Sequence, residues 1–234
     1  CDAMTIGEER FRSLERLVIG LMLAVLVGAF CPALVPGATS PLVKAKTDSL
    51  CRLGQQALEA GDVDRAADLF SRTLELDRKE ARAHCGLGYV YLKRKALKQA
   101  HKAFRTAQRH DRKLVEAYNG TGLVYKAEKG QWVRAIEYFS RALGIKPDYV
   151  EAQYNIGMIH FELLNRDGIK AFKRVVEMEP KHLDAYYRLG YLHEVDLLKR
   201  EEAATYYEKQ LEVNPGHQEA MLRLGQGYRY IART

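Results

Sequence analysis

Six glycines, Gly54, Gly88, Gly122, Gly157, Gly190 and Gly225, recur along this chain at intervals of 34, 34, 35, 33 and 35 residues. Self-similarity at that period argues for a supersecondary unit stacked on copies of itself and against one closed core. Other residues keep the same register. An aromatic stands at Phe70, Phe104, Phe139, Phe172 and Tyr207, and four residues before each lies Ala66, Ala100, Ala135, Gly168 or Ala203. Eight residues after the last three aromatics comes Pro147, Pro180 or Pro215. Three residues after the glycines stand Ala57, Tyr91, Tyr125, His160, His193 and Tyr228.

Each element has a steric reason. Glycine or alanine on facing helical surfaces lets two helices approach, and an aromatic fills the space between that pair and its neighbour. Proline cannot continue a helix, so it ends one unit before the next begins. Within units the apolar residues fall at helical spacing, as in Ala135, Ile136, Phe139, Ala142 and Leu143.

The set resembles the tetratricopeptide repeat (TPR) family from about Thr47 to Thr234. It contains five whole repeats at 47–80, 81–114, 115–149, 150–182 and 183–217, then a sixth first helix at 218–234. Arg78 and Arg112 depart from the pattern where later repeats have proline, and Gly168 replaces alanine. Length changes fall near Lys129–Gln131, Asn165–Gly168 and Lys199–Glu201, in the turn between paired helices, where they are best tolerated. The resemblance implies an all-α fold, a right-handed superhelical solenoid of antiparallel helix pairs.

It also implies a concave groove lined by the first helices, from residues three before, one after and four after each glycine. The expected partner-binding residues are Tyr89, Asn119, Leu123, Tyr154, Met158, Phe161, Tyr187 and Tyr191. Tyrosine and methionine offer large, adaptable contact area for a peptide or helix of another protein. The competing reading is that several of these side chains fill the seams between repeats. Cys51, Cys85 and Asn119 stand where the chaperone-tail binders of this family carry the first lysine of a carboxylate clamp, so an acidic C-terminal tail is not the expected ligand.

Charge is uneven. The net charge is +7, yet summed by repeat the five units carry −3, +9, +1, 0 and −3. In the second repeat Lys98, Lys102, Arg105, Arg109 and Arg112 step by 4, 3, 4 and 3, which puts them on one stripe of a helix. Ala100, Phe104 and Ala107 occupy the opposite face, so the stripe is expected on the convex surface. Its partner, if it has one, is expected to be an anionic membrane surface or an acidic protein. Nucleic acid is disfavoured because no aromatics interleave the row.

From Leu17 to Val43 no residue is charged, and Leu17–Phe30 is almost wholly aliphatic. Residues 1–38 are read as a signal peptide or an N-terminal membrane anchor, and 39–46 as a linker. Either reading puts the repeats outside the cytoplasm, exported or membrane-anchored. The chain starts at Cys1 ahead of its first methionine, Met4, and stops after half a repeat, so both ends look cut. The last helix would leave Leu224, Tyr228 and Ile231 uncovered, which also leaves self-association open.

No constellation supports catalysis. Gly120–Thr121–Gly122 and Gly225–Gln226–Gly227 fall inside predicted helices and fail the context of a phosphate loop. Cys51 and Cys85, one repeat apart, are expected to be free thiols, and His160 and His193 core histidines. No metal or cofactor is expected. The resulting reading is a non-enzymatic adaptor in an extracytoplasmic or envelope assembly. Its alternative is the N-terminal recognition arm of a larger enzyme whose chemistry lies beyond Thr234.

Overall fold

The computed structural model describes residues 40–128, 130–195 and 198–232. Its contacts divide the chain into Cys1–Ser49 and Leu50–Thr234. The leader expected over 1–38 lies outside the described residues. Among those described, no helix is long and apolar enough to cross a membrane. The first helix, α1, spans Pro41–Glu59, so the segment expected as a linker over 39–46 is helical from Pro41 onward. A Ser-Pro pair explains the early start. The Val43 N–H donates to Ser40 Oγ at 3.3 Å, and proline suits a first helical position whose N–H would lack a partner anyway.

Ten further helices follow among the described residues: α2 (Val63–Leu76), α3 (Ala81–Lys93), α4 (Leu97–His110), α5 (Val115–Ala127), α6 (Trp132–Ile145), α7 (Val150–Glu162), α8 (Asp167–Met178), α9 (Ala185–Val195), α10 (Arg200–Val213) and α11 (Gln218–Ile231). No strand occurs among the described residues. From α2 onward each helix packs on the next, and α3 also touches α5, α5 touches α7 and α7 touches α9. First helices therefore converge on one inner face while second helices form the outer layer. This is the α-solenoid that the period predicts.

The period exists because of ring-on-backbone packing. A Cβ built on Gly88 would lie 2.5 Å from the Phe104 ring, and one on Gly120, in the next repeat, 2.2 Å from it. Phe104 is thus held between two helices that both present bare backbone, and it is fully buried with Ala100 and Ala107. Gly54 and Gly86 hold Phe70 in the same way. The Gly120–Thr121–Gly122 sequence is thereby explained, because Gly120 serves the Phe104 ring and Gly122 the Phe139 ring. Thr121 lies between them, fully buried, and its hydroxyl donates to the Ala117 carbonyl and accepts from Gln108.

Two local devices punctuate the helices. Every turn within a described pair places one residue in the left-handed region: Gly61 (φ 80°), Lys95 (59°), Gly130 (80°), Leu164 (50°) and Leu198 (53°). Glycine takes that conformation freely, whereas a residue with a Cβ is strained by roughly 1–2 kcal/mol. At the ends of α2 and α4, where proline is missing, Asp77 and Asp111 accept the N–H of Lys79 and Lys113 at 2.9 and 2.8 Å. These aspartate turns stop the helix where Pro147, Pro180 and Pro215 stop the others.

Candidate partner-binding faces

The inner face has two halves of different chemistry. In the first half, Tyr89 on α3 is edge-on to Phe104 with centroids 5.1 Å apart, and its hydroxyl donates to the Glu116 carbonyl at 3.0 Å. Burial pushes its phenol well above the ordinary tyrosine range. Asn119 is 4% exposed, donates towards the Tyr89 hydroxyl and accepts from Asn155 at 3.1 Å. Both residues were expected to meet a partner. Their polar groups are instead paired inside the protein, since an amide that far from water must find its bonds there. Leu123 is only partly buried, against the cluster around Phe139 and Ile159. Beside it on α5, Lys126 pairs with Glu162 of α7 at 3.3 Å.

The second half, on α7, α9 and α11, is a ladder of rings interleaved with guanidinium groups. The Tyr154 hydroxyl donates to Asp184, which also accepts from Arg188 Nε at 2.6 Å. The Arg188 guanidinium lies 4.7 Å from the Phe161 ring centroid and 5.4 Å from that of Tyr187. Phe161 meets Tyr191 at 5.0 Å, and Arg223 lies over Tyr191 at 4.4 Å. Arg223 in turn donates to Glu194, which accepts the Tyr207 hydroxyl at 2.7 Å. Burial, reinforced by the carboxylate each phenol faces, pushes Tyr154 and Tyr207 well above the usual range. Met158 is partly buried in the same cluster. Two imidazoles close the ladder: His182 stacks on Tyr154 at 4.6 Å, and His217 lies 4.7 Å from Tyr187.

The groove expected to be apolar and aromatic is therefore aromatic and charged. Asp184, Arg188 and Arg223 were not anticipated, whereas Glu194 stands four residues after Gly190, a position that the groove register includes. One signal could have found the arginines. Two residues before each glycine of repeats two to six the chain reads Gly86, Gly120, Asn155, Arg188 and Arg223, a drift from no side chain to the longest polar one.

Cys51 and Cys85 are free and buried, and burial pushes the Cys85 thiol far up, so it is held as a neutral thiol. His193 is buried, with Nδ1 2.9 Å from the Leu189 carbonyl. No group of residues suited to hold a metal ion occurs among the described residues.

On the outer layer, Lys98, Lys102, Arg105 and Arg109 of α4 are exposed; Arg112, expected on the same helical stripe, is exposed too but lies past the helix, which stops at His110 before the extended Asp111. An open depression of about 320 Å³ is lined by His101, Lys102, Arg105 and Arg109. Ala100, Phe104 and Ala107 are fully buried behind them, as the stripe geometry requires.

Profiles of the tetratricopeptide repeat family match residues 51–113, 97–150 and 183–217. No curated protein matches the sequence. Among solved structures, the chain is similar to YrrB, described as a TPR protein with an unusual peptide-binding site, at 25% identity over 79% of this chain and 97% of that one, with a TM-score of 0.54. It is similar to PilF of Pseudomonas aeruginosa at 17% identity, covering 81% and 86% of the two chains, with a TM-score of 0.72. It is likewise similar to TTC0263, a TPR protein of Thermus thermophilus, at 21% identity, 78% and 98% coverage and a TM-score of 0.63.

Proposed function

The chain belongs to the tetratricopeptide repeat family, whose members serve as protein-interaction scaffolds, and on that premise we propose that it holds an extended segment of a partner protein along the inner face of α5, α7, α9 and α11. One observation carries this reading: the Phe161–Tyr191 pair with Arg188 and Arg223 laid over its rings. Tyrosine and arginine are the residues in which binding energy concentrates, because they combine large contact area with directed polar groups. Here their ion pairs and stacking fix them before any ligand arrives, so little ordering entropy opposes binding. Carboxylates and cations alternate along the face, which suits a segment that is itself mixed in charge, with apolar side chains to lie on Leu123 and Met158. The peptide-binding site described for YrrB supports the same use of the fold. In this reading the protein is a non-enzymatic adaptor, and the aliphatic stretch Leu17–Phe30 favours an envelope or extracytoplasmic assembly.

The test is a selection of binding peptides on the full chain, followed by affinity measurement on Met158→Ala/Tyr191→Ala. Both side chains are partly exposed, and neither is one of the glycines or rings that form the seams. Selected peptides should lose at least tenfold in affinity while far-ultraviolet circular dichroism stays unchanged. Equal affinity for the two proteins rejects the inner face as the site.

A further inference from the structure

The outer layer carries a second feature that owes nothing to the inner face. Every other second helix neutralises cations with its own carboxylates. Arg72 pairs with Asp68 on α2, Arg141 with Glu137 on α6, Lys170 with Asp167 on α8, and Lys199 with Glu202 at the start of α10. On α4 no such pair forms among the described residues. Asp111 is the one acid of the repeat, and its carboxylate accepts the Lys113 N–H. Arg109 donates one bond to the Thr106 hydroxyl and has no carboxylate within ion-pair distance among the described residues. Four exposed cations, Lys98 to Arg109, thus stand along about 16 Å of helix at its 1.5 Å rise, with Arg112 exposed in the turn just beyond and no ion-paired carboxylate among the described residues.

We propose that this row, Lys98, Lys102, Arg105, Arg109 and Arg112, is a docking surface for the phosphate headgroups of an anionic bilayer. The depression between His101, Lys102, Arg105 and Arg109 gives a headgroup phosphate a seat, and the guanidinium fork matches its oxygens in pairs. The row consists of cations alone, so it lacks the apolar core around which a protein–protein interface closes. Attraction without an anchor is what a fluid charged surface needs, since its headgroups rearrange to meet a fixed line of cations. Read as an N-terminal anchor, the aliphatic stretch Leu17–Phe30 would bring a membrane within reach as the source of those phosphates.

The full chain is mixed with vesicles of phosphatidylcholine alone or of phosphatidylcholine with phosphatidylglycerol, so any insertion of the N-terminal segment is common to both arms. Acetylation of Lys98 and Lys102 should slow several-fold on the anionic vesicles only, and recover in high salt. Lys170 and Lys173 of α8 should label equally in both. Partition onto anionic relative to neutral vesicles should fall by more than about a hundredfold in K102E/R105E/R109E, since loss of each cation alone is worth about fivefold and reversal adds repulsion. The milder K102Q/R105Q/R109Q, whose positions are all exposed, should show the same direction with unchanged helicity. Identical labelling of Lys98 and Lys102 on both vesicles overturns the proposal. So does protection by polyglutamate or duplex DNA with none from anionic vesicles, which would assign the row to an acidic protein or a nucleic acid.

Discussion

The seams around Phe70 and Phe104 and those around Phe172 and Tyr207 use the same helix pair, the same register and opposite chemistry. In the early seams a ring is pressed onto bare backbone from both sides, by Gly54 and Gly86 or by Gly88 and Gly120. In the late seams one of those glycines is replaced, and Arg188 and Arg223 occupy the equivalent positions, bound to Asp184 and Glu194 and stacked on Phe161 and Tyr191. The early seams are held by close packing and can present little to a ligand. The late seams are held by polar pairs that also reach the inner face. A repeat protein can thus concentrate close packing in one part of its array and polar surface in another without changing the unit that is repeated.

The largest effect that would break this comparison comes from one methyl group. Gly120→Ala sets a Cβ 2.2 Å from the Phe104 ring, which Gly88 already confines on its other side, and should cost about 3 kcal/mol in urea unfolding. Gly225→Ala, at the equivalent of Gly88 in the last helix, has nothing within 4 Å and should be neutral or stabilising by up to about 1 kcal/mol. If both substitutions behave alike, ring-on-backbone packing is not what holds the early seams.

A smaller loss is expected in the late half. Arg188→Ala leaves the Asp184 carboxylate, 24% exposed, with the Tyr154 hydroxyl and His217 Nε2 at 3.5 Å, and should destabilise by about 2 kcal/mol. Adding Asp184→Ala should recover part of that, a coupling that a double-mutant cycle reads directly. Purely additive losses would mean that the pair is a surface contact without structural consequence.

The mildest test near neutrality is pH. Tyr154 and Tyr207 keep their protons in the fold to higher pH than in the unfolded chain, where tyrosine titrates near 10. Their contribution is therefore complete below about pH 10 and is lost as pH rises beyond it, because only the unfolded state then gives up its protons. Melting temperature should fall more steeply above about pH 10 in the wild type than in Tyr154→Phe/Tyr207→Phe. Parallel curves would show that burial and the facing carboxylates do not hold these phenols neutral.

Much of this was legible in the residues alone. The register of Gly88 with Phe104 and Ala100 announces helix pairs, because a steric requirement repeated at one spacing leaves a periodic mark. Proline was a partial guide. The helices ending before Arg78 and Arg112 stop equally well, through Asp77 and Asp111, which keep the 34-residue period but share it over two repeats only. The inner face was read less well. Tyr89 and Asn119 occupy groove positions by register, yet bond to Glu116 and Asn155 across 27 and 36 residues.

The sequence by itself determined the unit, its number of copies and the charge stranded on α4, since all three follow from short-range spacing that any helix must obey. Only the tertiary structure decided which inner-face side chains are engaged by neighbours and which remain free to meet a partner. That choice depends on how a side chain of one repeat reaches into the next. Arg188 closes on Asp184 at the start of its own helix, but it finds Phe161 only because α7 and α9 lie side by side. Contacts of that kind are set by packing distance between helices, and no spacing along the chain encodes them.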